Sequence, residues 1–159
     1  MKIRIITVGK IKESYLKSAI AEYQKRLGKY CKLEILEVAD EKTPEQAGEH
    51  EKELIMAKEG ERLQKLIPPE AYCITLEIEG KALSSEQFAS QIEELGIRGR
   101  SQIVFVIGGS LGLHASVRKR SDFALSFSAM TFPHQLMRVI LLEQIYRSYR
   151  IINHEPYHK

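Results

Sequence analysis

A run of five apolar residues, Ile103–Ile107, constrains the fold of this chain more than any other feature of its sequence. The run offers no polar side chain to solvent, and Gly108 and Gly109 end it abruptly. Strands with this composition are covered on both faces, as in the centre of a parallel sheet. The run therefore predicts an α/β protein in which Ile103–Ile107 is a central strand.

The rest of the chain alternates between strand-like and helix-like segments. Short β-branched or alternating runs predict four further strands, at residues 3–8, 33–38, 72–78 and 123–127. Apolar spacing and capping signals predict helices at residues 11–27, 43–67, 84–95 and 133–150, with a short segment near 115–120. Such alternation is typical of a mostly parallel sheet flanked by helices. Since the 159 residues contain no linker or repeat, we expect a single domain, residues 1–159.

The first three helices are predicted from particular residues. Thr43 can cap the second helix, Pro44 fits its first position, and Gln46 would complete a capping box. Ser84 and Gln87 carry the same signal for the third helix. A four-residue repeat predicts the buried stripe of the first helix: Ile11, Tyr15, Ala19, Tyr23 and Leu27, with Leu16 and Ile20 beside it.

The last predicted helix is apolar around most of its circumference. Its apolar residues are Leu136, Met137, Val139, Ile140, Leu141, Leu142, Ile145, Tyr146 and Tyr149. A helix of this kind must be buried on more than one side. We expect one side to face the sheet and another, including Leu142 and Tyr146, to face a second copy in a homodimer. A helix buried deep inside a single chain is the alternative.

Composition excludes several classes of protein. No apolar run approaches the roughly 20 residues of a membrane span, and the N-terminus does not resemble a signal peptide. Cys31 and Cys73 form neither a CxxC pair nor a disulfide framework. His154 and His158 are four residues apart, but Pro156 between them disfavours the helix that would align them on zinc. We therefore expect a cytoplasmic protein without a membrane partner or a metal.

Positive charge is concentrated in the last third of the chain. Residues 100–159 carry eight Lys or Arg and three Asp or Glu, whereas residues 1–99 carry 16 and 18. A basic segment suits a polyanionic partner, because phosphate contacts come mainly from Lys and Arg. A solvated basic surface explains the same charges equally well.

Two loops that follow predicted strands are candidate ligand sites. Residues 107–113 are rich in glycine, and residues 127–133 combine small side chains with two phenylalanines. Ligands of open parallel sheets bind beyond the carboxyl ends of the strands, and glycine lets the backbone approach them closely. Neither GxGxxG nor a P-loop is present. A plain turn and a capped helix start are the alternatives for these two loops.

Three segments resemble the ribosomal RNA large subunit methyltransferase H family, which belongs to the SPOUT class: IGGSLGL (107–113), LSFSAMTFPHQLMRVILLEQIYRSYRI (125–151) and NHEPYHK (153–159). The resemblance covers the whole chain in length and element order, although the family's tail usually reads NHPYH, without an equivalent of Glu155. It implies S-adenosylmethionine-dependent methylation of N3 of a pseudouridine in 23S, large-subunit ribosomal RNA. It also implies a homodimer and a trefoil knot in the C-terminal region.

The motif match also implies which residues bind the cofactor: Leu76, Gly108, Phe127, Ser128, Ala129, Met130, Thr131 and Phe132. Residue chemistry suggests three catalytic residues. Arg138 would stabilise an anion or bind phosphate, and Tyr157 and His158 would position the base, with His158 as a candidate proton acceptor. Solvation at the surface is the alternative for each of the three. Because a sulfonium methyl is already activated, the reaction needs positioning and no metal.

The C-terminal tail, residues 153–159, has no apolar periodicity. We therefore expect it to be irregular and to become ordered only with bound substrate. Two other functions remain open at this point. One is a methyltransferase that acts on transfer RNA or on a protein, and the other is a non-catalytic RNA-binding module.

Overall fold

The sheet has five parallel strands in the order β2-β1-β4-β3-β5. The computed structural model describes residues 1–159, and its strands are β1 (Lys2–Val8), β2 (Lys32–Val38), β3 (Tyr72–Ala82), β4 (Gln102–Ile107) and β5 (Phe123–Ser126). β4 occupies the middle of the sheet, as the apolar run predicts. The α/β prediction with a parallel sheet is therefore confirmed.

The apolar run Ile103–Ile107 within β4 follows from the strand's two covered faces. Ile103, Phe105 and Ile107 join the larger hydrophobic cluster, whereas Val104 and Val106 join the smaller cluster on the other side. Alternate strand residues point to opposite faces, so a strand covered on both sides has no position for a polar side chain. Burying each such side chain stabilises the fold by about 1.5–3 kcal/mol.

Five helices cover the two faces of the sheet: α1 (Ser14–Leu27), α2 (Glu49–Gln64), α3 (Ser85–Ile97), α4 (Ala115–Arg120) and α5 (His134–Ile152). α1, α3 and α5 contribute to the larger cluster, and α2 and α4 cover the opposite face. None of the five combines the length and apolar character that crossing a membrane would require.

The second helix begins later than its capping signal predicts. α2 starts at Glu49 with Gly48 as N-cap, and the segment around Pro44 forms a turn closed by a 3.1 Å hydrogen bond from the Ala47 N–H to the Pro44 carbonyl. The prediction of a helix from Thr43 is therefore wrong. The segment 43–47 places no large apolar side chain against the core, and a cap without packing does not sustain a helical turn.

The third helix shows the contrasting case. The Ser84 side chain accepts from the Gln87 N–H at 3.1 Å, and the Gln87 side chain accepts from the Ser84 N–H at 2.9 Å. This capping box is confirmed. The helix that follows it buries Phe88 and Ile92, so local signal and packing agree.

The buried stripe of α1 differs from the predicted stripe. The helix starts at Ser14 and buries Leu16, Ile20 and Leu27, whereas Tyr15 is 69% exposed. Ile11 lies before the helix, so it does not set the phase of the buried face. The predicted stripe is therefore wrong at Tyr15, whereas Ile11 and Leu27 are buried and Tyr23 packs against the core as predicted.

α5 is enclosed by the sheet and by the helices on either side of it. Leu142 is fully buried and Tyr146 is 9% exposed within the same chain. The Tyr146 ring lies near those of Tyr23 on α1 and Tyr30. The prediction that Leu142 and Tyr146 point outward is therefore wrong. Burial inside one chain explains most of the apolar circumference, and Leu136 near the start of α5 stays partly exposed.

Candidate functional site

A cavity of about 660 Å³ lies at the carboxyl ends of β3, β4 and β5. This edge is where open parallel sheets bind their ligands, and the volume falls within the ordinary range of small-molecule sites. The wall is built from residues 76–78, 107–113, 125, 127, 128, 130–134 and 137. The two loops singled out in the sequence therefore meet around one cavity.

Most of the predicted cofactor-binding residues line this cavity: Leu76, Gly108, Phe127, Ser128, Met130, Thr131 and Phe132. Ala129 does not belong to the wall, although its neighbours on both sides do. These residues come from three separate parts of the chain. Their convergence depends on β3 and β4 being adjacent in the sheet, with β5 beside β3.

An irregularity in β3 places Leu76 at the cavity. Leu125 of β5 pairs both with Leu76 and with Lys81, so residues 77–80 form a bulge between the two pairings. Glu77 and Ile78 of this bulge also line the cavity. Bulges redirect side chains next to functional sites, and this one turns the end of β3 into a wall of the cavity.

The glycine-rich loop at residues 107–113, called the glycine loop below, is held in its conformation by contacts within the chain. Its turn is held by a 3.0 Å hydrogen bond from the Gly112 N–H to the Gly109 carbonyl, and Gly112 has a φ of +87°. A Cβ on Gly108 would lie 2.8 Å from the Gly112 carbonyl carbon, which is too close for any side chain. Gly108 is therefore required by the folding of the loop itself, whether or not a ligand approaches it.

A buried serine that sequence reasoning missed fixes the second loop. The Ser126 hydroxyl lies 2.8 Å from the Ile78 carbonyl and 3.2 Å from the Ser128 carbonyl. The Ser128 hydroxyl in turn accepts from the Met130 N–H at 3.0 Å. These bonds tie loop 127–133 to the β3 bulge. A lone serine at the end of a strand carries no signal that would have identified it.

The cavity wall contains two ionisable side chains, Glu77 and His134, and no Lys or Arg. The Glu77 carboxylate accepts from the Thr75 hydroxyl at 2.6 Å. Apolar and aromatic side chains, among them Phe127 and Phe132, form much of the remaining wall. This chemistry suits a ligand that combines an aromatic body with positive charge, and it provides no cation for a phosphate group.

Arg138 lies outside the cavity, buried between α5 and the ends of β1 and β2. It is 3% exposed, and its guanidinium donates at 2.7 Å to a Glu37 carboxylate oxygen and also to Thr7 and to the Gly9 carbonyl. All of these partners belong to the same chain. The structure therefore ties Arg138 to β1 and β2 and does not bring it together with the cofactor loops.

Tyr157 and His158 pack against α5 well away from the cavity. The Tyr157 hydroxyl donates to Glu143 at 2.7 Å, and the His158 ring nitrogens lie 2.6 Å from Glu86 and 3.1 Å from Arg147. Burial and the Glu143 hydrogen bond raise the pKa of Tyr157 to about 12. Glu143 and Arg147 follow the cavity residue Met137 by six and ten positions, about 9 and 15 Å along the helix.

The tail is packed even without a substrate, so the prediction of an unpacked tail is wrong. Its Tyr157 ring stands edge-on to Tyr146 at 5.0 Å, and the Arg147 guanidinium lies over the same ring at 4.7 Å. Glu155 accepts from Arg150 and from Tyr30, both at 2.7 Å. Aromatic and ionic contacts with α5 replace the apolar periodicity that the segment lacks.

The C-terminal end of α5, where the tail begins, is closed by two backbone hydrogen bonds. The His154 N–H donates to the Ile151 carbonyl at 3.1 Å, and the Glu155 N–H donates to the Arg150 carbonyl at 2.9 Å. This is the Schellman arrangement, with His154 at φ +55° in the position that usually holds glycine. No group of three or more His, Cys, Asp or Glu side chains is arranged so that it could hold a metal ion.

Comparisons with known proteins agree with this architecture. The model of the family described as predicted SPOUT methyltransferases matches residues 1–158. Ribosomal RNA large subunit methyltransferase H of Bifidobacterium adolescentis is 64% identical over 159 residues, and that of Clostridium beijerinckii is 57% identical, each covering all of both chains. A methylase family protein of Haemophilus influenzae shares the fold, with a TM-score of 0.56 and 14% identity over 99% of this chain and 70% of the other. The chain therefore belongs to the SPOUT methyltransferases and, within them, to the family of ribosomal RNA large subunit methyltransferase H.

Proposed function

We propose that this protein is an S-adenosylmethionine-dependent methyltransferase that modifies N3 of a pseudouridine in 23S ribosomal RNA of the large subunit. The observation that carries the proposal is the cavity built by the glycine loop and loop 127–133, because seven of the eight cofactor positions implied by the motif match line it. The names of the two curated relatives support ribosomal RNA as the substrate class.

The cavity fits S-adenosylmethionine. Backbone groups of the glycine loop and of loop 127–133 would hold the methionine and adenosine moieties, with Phe127, Phe132 and Leu76 as apolar contacts. The Glu77 carboxylate complements the positive charge of the cofactor. When bound, this group supplies a methyl that is already activated by a sulfonium. The protein's own task is to position the base in line with that methyl and to remove the N3 proton.

The distance between cavity and tail favours a homodimer. In one chain Tyr157 and His158 contact Glu143 and Arg147, about 9–15 Å along α5 from the nearest cavity residue. A second copy could bring its tail to the cavity mouth without unfolding α5. Apolar side chains that remain exposed near the mouth, Met130 and Ile78, are available for such a contact. Tyr157 would then stack on or orient the base.

Isotopic methyl transfer tests the proposed function. Large ribosomal subunits from a strain without the corresponding gene are incubated with the protein and labelled S-adenosylmethionine, and the RNA is analysed by nucleoside mass spectrometry. We expect a single N3-methylpseudouridine per particle. Label in transfer RNA or protein but not in the ribosome would contradict the substrate class. Absence of S-adenosylmethionine binding in titration calorimetry would favour a non-catalytic RNA-binding module.

Three further expectations accompany this function. The RNA-binding surface should involve the basic final third, where Arg118 and Lys119 are exposed on α4. A ribosome-modifying enzyme also meets its substrate in the cytoplasm, so cytoplasmic fractionation is expected. The trefoil knot implied by the family resemblance stays a prediction.

A further inference from the structure

His134 is the one imidazole in the cavity wall, and the hydrogen bonds made by histidine rings of this chain belong to His114 and His158 and not to His134. His114 and His158, the other half-buried histidines, each have both nitrogens within hydrogen-bonding distance of a partner. The remaining histidines, His50 and His154, are exposed and lie elsewhere. A half-buried imidazole with no partner, facing a ligand cavity, is a candidate for contact with a substrate.

The position of His134 is set by the start of α5. It is the first residue of the helix, directly after Pro133. A Cβ on Gly9, in the turn after β1, would lie 3.7 Å from its Nε2. The imidazole is thus held between the Gly9 turn and the cavity.

The surroundings of His134 favour its neutral form. Burial lowers its pKa, and so does the charge of Arg138 one turn further along α5, while Asp40 after β2 acts in the opposite direction. Glu37 on β2 is paired with Arg138, and Glu77 on β3 is the other ionisable group of the wall. A neutral imidazole has a nitrogen lone pair, so it can accept a proton at neutral pH.

We propose that His134 accepts the N3 proton of the target base. The proposal rests on the proposed function. The N3–H bond breaks, and its proton passes to an imidazole nitrogen, while the N3 electron pair forms the bond to the methyl carbon. The bond between that carbon and sulfur breaks, and its electrons stay on sulfur, so S-adenosylhomocysteine is released. The imidazolium then returns its proton to water.

This assignment differs from the one made on the sequence. His158 is held by Glu86 and Arg147 on the flank of α5, whereas His134 already faces the cavity of its own chain. A base must come within hydrogen-bond reach of the proton it removes, and position is decided before pKa. His134 meets the positional requirement without any movement of the tail.

The test compares His134→Gln with the wild type and with His50→Gln, which removes an exposed imidazole from α2. Glutamine keeps a polar side chain but accepts no proton at neutral pH. Single-turnover methyl transfer to unmodified large subunits is measured from about pH 5 to pH 8 at saturating cofactor. For His134→Gln we expect a rate at least about 100-fold lower and loss of the rise in rate with pH. Affinity for S-adenosylmethionine should stay within about threefold, and His50→Gln should match the wild type.

A second measurement does not depend on a folded variant. The His134 pKa is followed by NMR in the wild-type protein, and it should coincide with the inflection in kcat/KM, which reports the free enzyme. Three results would each overturn the assignment. The first is a His134 pKa that differs by a full pH unit from the inflection in kcat/KM. The others are a His134→Gln variant that transfers methyl at the wild-type rate and one that binds the cofactor more weakly while its rate is unchanged. A wild type that transfers no methyl to ribosomes would overturn the proposed function as well.

Discussion

Removing Glu37 should reveal what holds Arg138 in place. The Arg138 guanidinium is 3% exposed, and its charge is balanced by one carboxylate at 2.7 Å. In Glu37→Ala the guanidinium keeps only the Thr7 hydroxyl and the Gly9 carbonyl as acceptors. The variant therefore leaves a buried cation without a counter-ion, which is the costly way to break an ion pair.

The magnitude follows from the different burial of the two partners. Breaking a fully buried pair costs about 3–5 kcal/mol, but the Glu37 side chain is 36% exposed, so water can replace part of its interaction. We expect Glu37→Ala to lower the free energy of unfolding by about 2–3 kcal/mol. Glu49→Ala is the matched control, because its partner Lys52 lies 3.9 Å away and the Glu49 side chain is 96% exposed. Removing it should change stability by less than about 0.5 kcal/mol.

Urea unfolding at one fixed protein concentration measures both variants, and an unchanged m-value shows that the change lies in stability. The double variant Glu37→Ala with Arg138→Met should be more stable than Glu37→Ala alone, because it no longer buries an unpaired charge. If Glu37→Ala unfolds like the wild type, the ion pair contributes nothing. Arg138 would then be free for the substrate role that its residue type suggests.

Three further predictions concern the helix end, the glycine loop and the tail. His154→Gly should raise the free energy of unfolding by about 1 kcal/mol, because glycine adopts positive φ without strain; a melting temperature that falls would contradict the Schellman geometry. Gly108→Ala should weaken S-adenosylmethionine binding in calorimetry by at least about tenfold, since its Cβ would collide with loop backbone, whereas Gly48→Ala meets no atom within 4 Å and should bind normally. Deleting residues 156–159 should leave cofactor affinity within about threefold while methyl transfer to ribosomes falls by orders of magnitude; normal transfer would make the tail a passive extension.

Local sequence signals succeeded where packing supported them. The capping box at Ser84 begins α3, because Phe88 and Ile92 bury the face that follows it. The equally regular signal at Thr43 does not begin α2, because no large apolar side chain follows it until Leu54. A cap offers about 1 kcal/mol, which does not offset the entropy of ordering a helical turn that packs against nothing.

The sequence by itself determined the class of the fold and the two loops that line the cavity. Ile103–Ile107 required a strand with both faces covered, and the two loops after β4 and β5 carried the small and glycine residues that such a cavity needs. These are properties of short segments, in which composition and spacing directly limit the backbone.

Only the tertiary structure decided which side chains reach the cavity. Residue type made Arg138, Tyr157 and His158 candidates, but Arg138 is bound to Glu37 and the tail residues are bound to α5 and Glu86. His134, which no motif distinguished, faces the cavity instead. Contacts between residues more than a hundred positions apart, such as Arg138 with Glu37, depend on strand order and helix placement, and no local pattern in the sequence encodes that pairing.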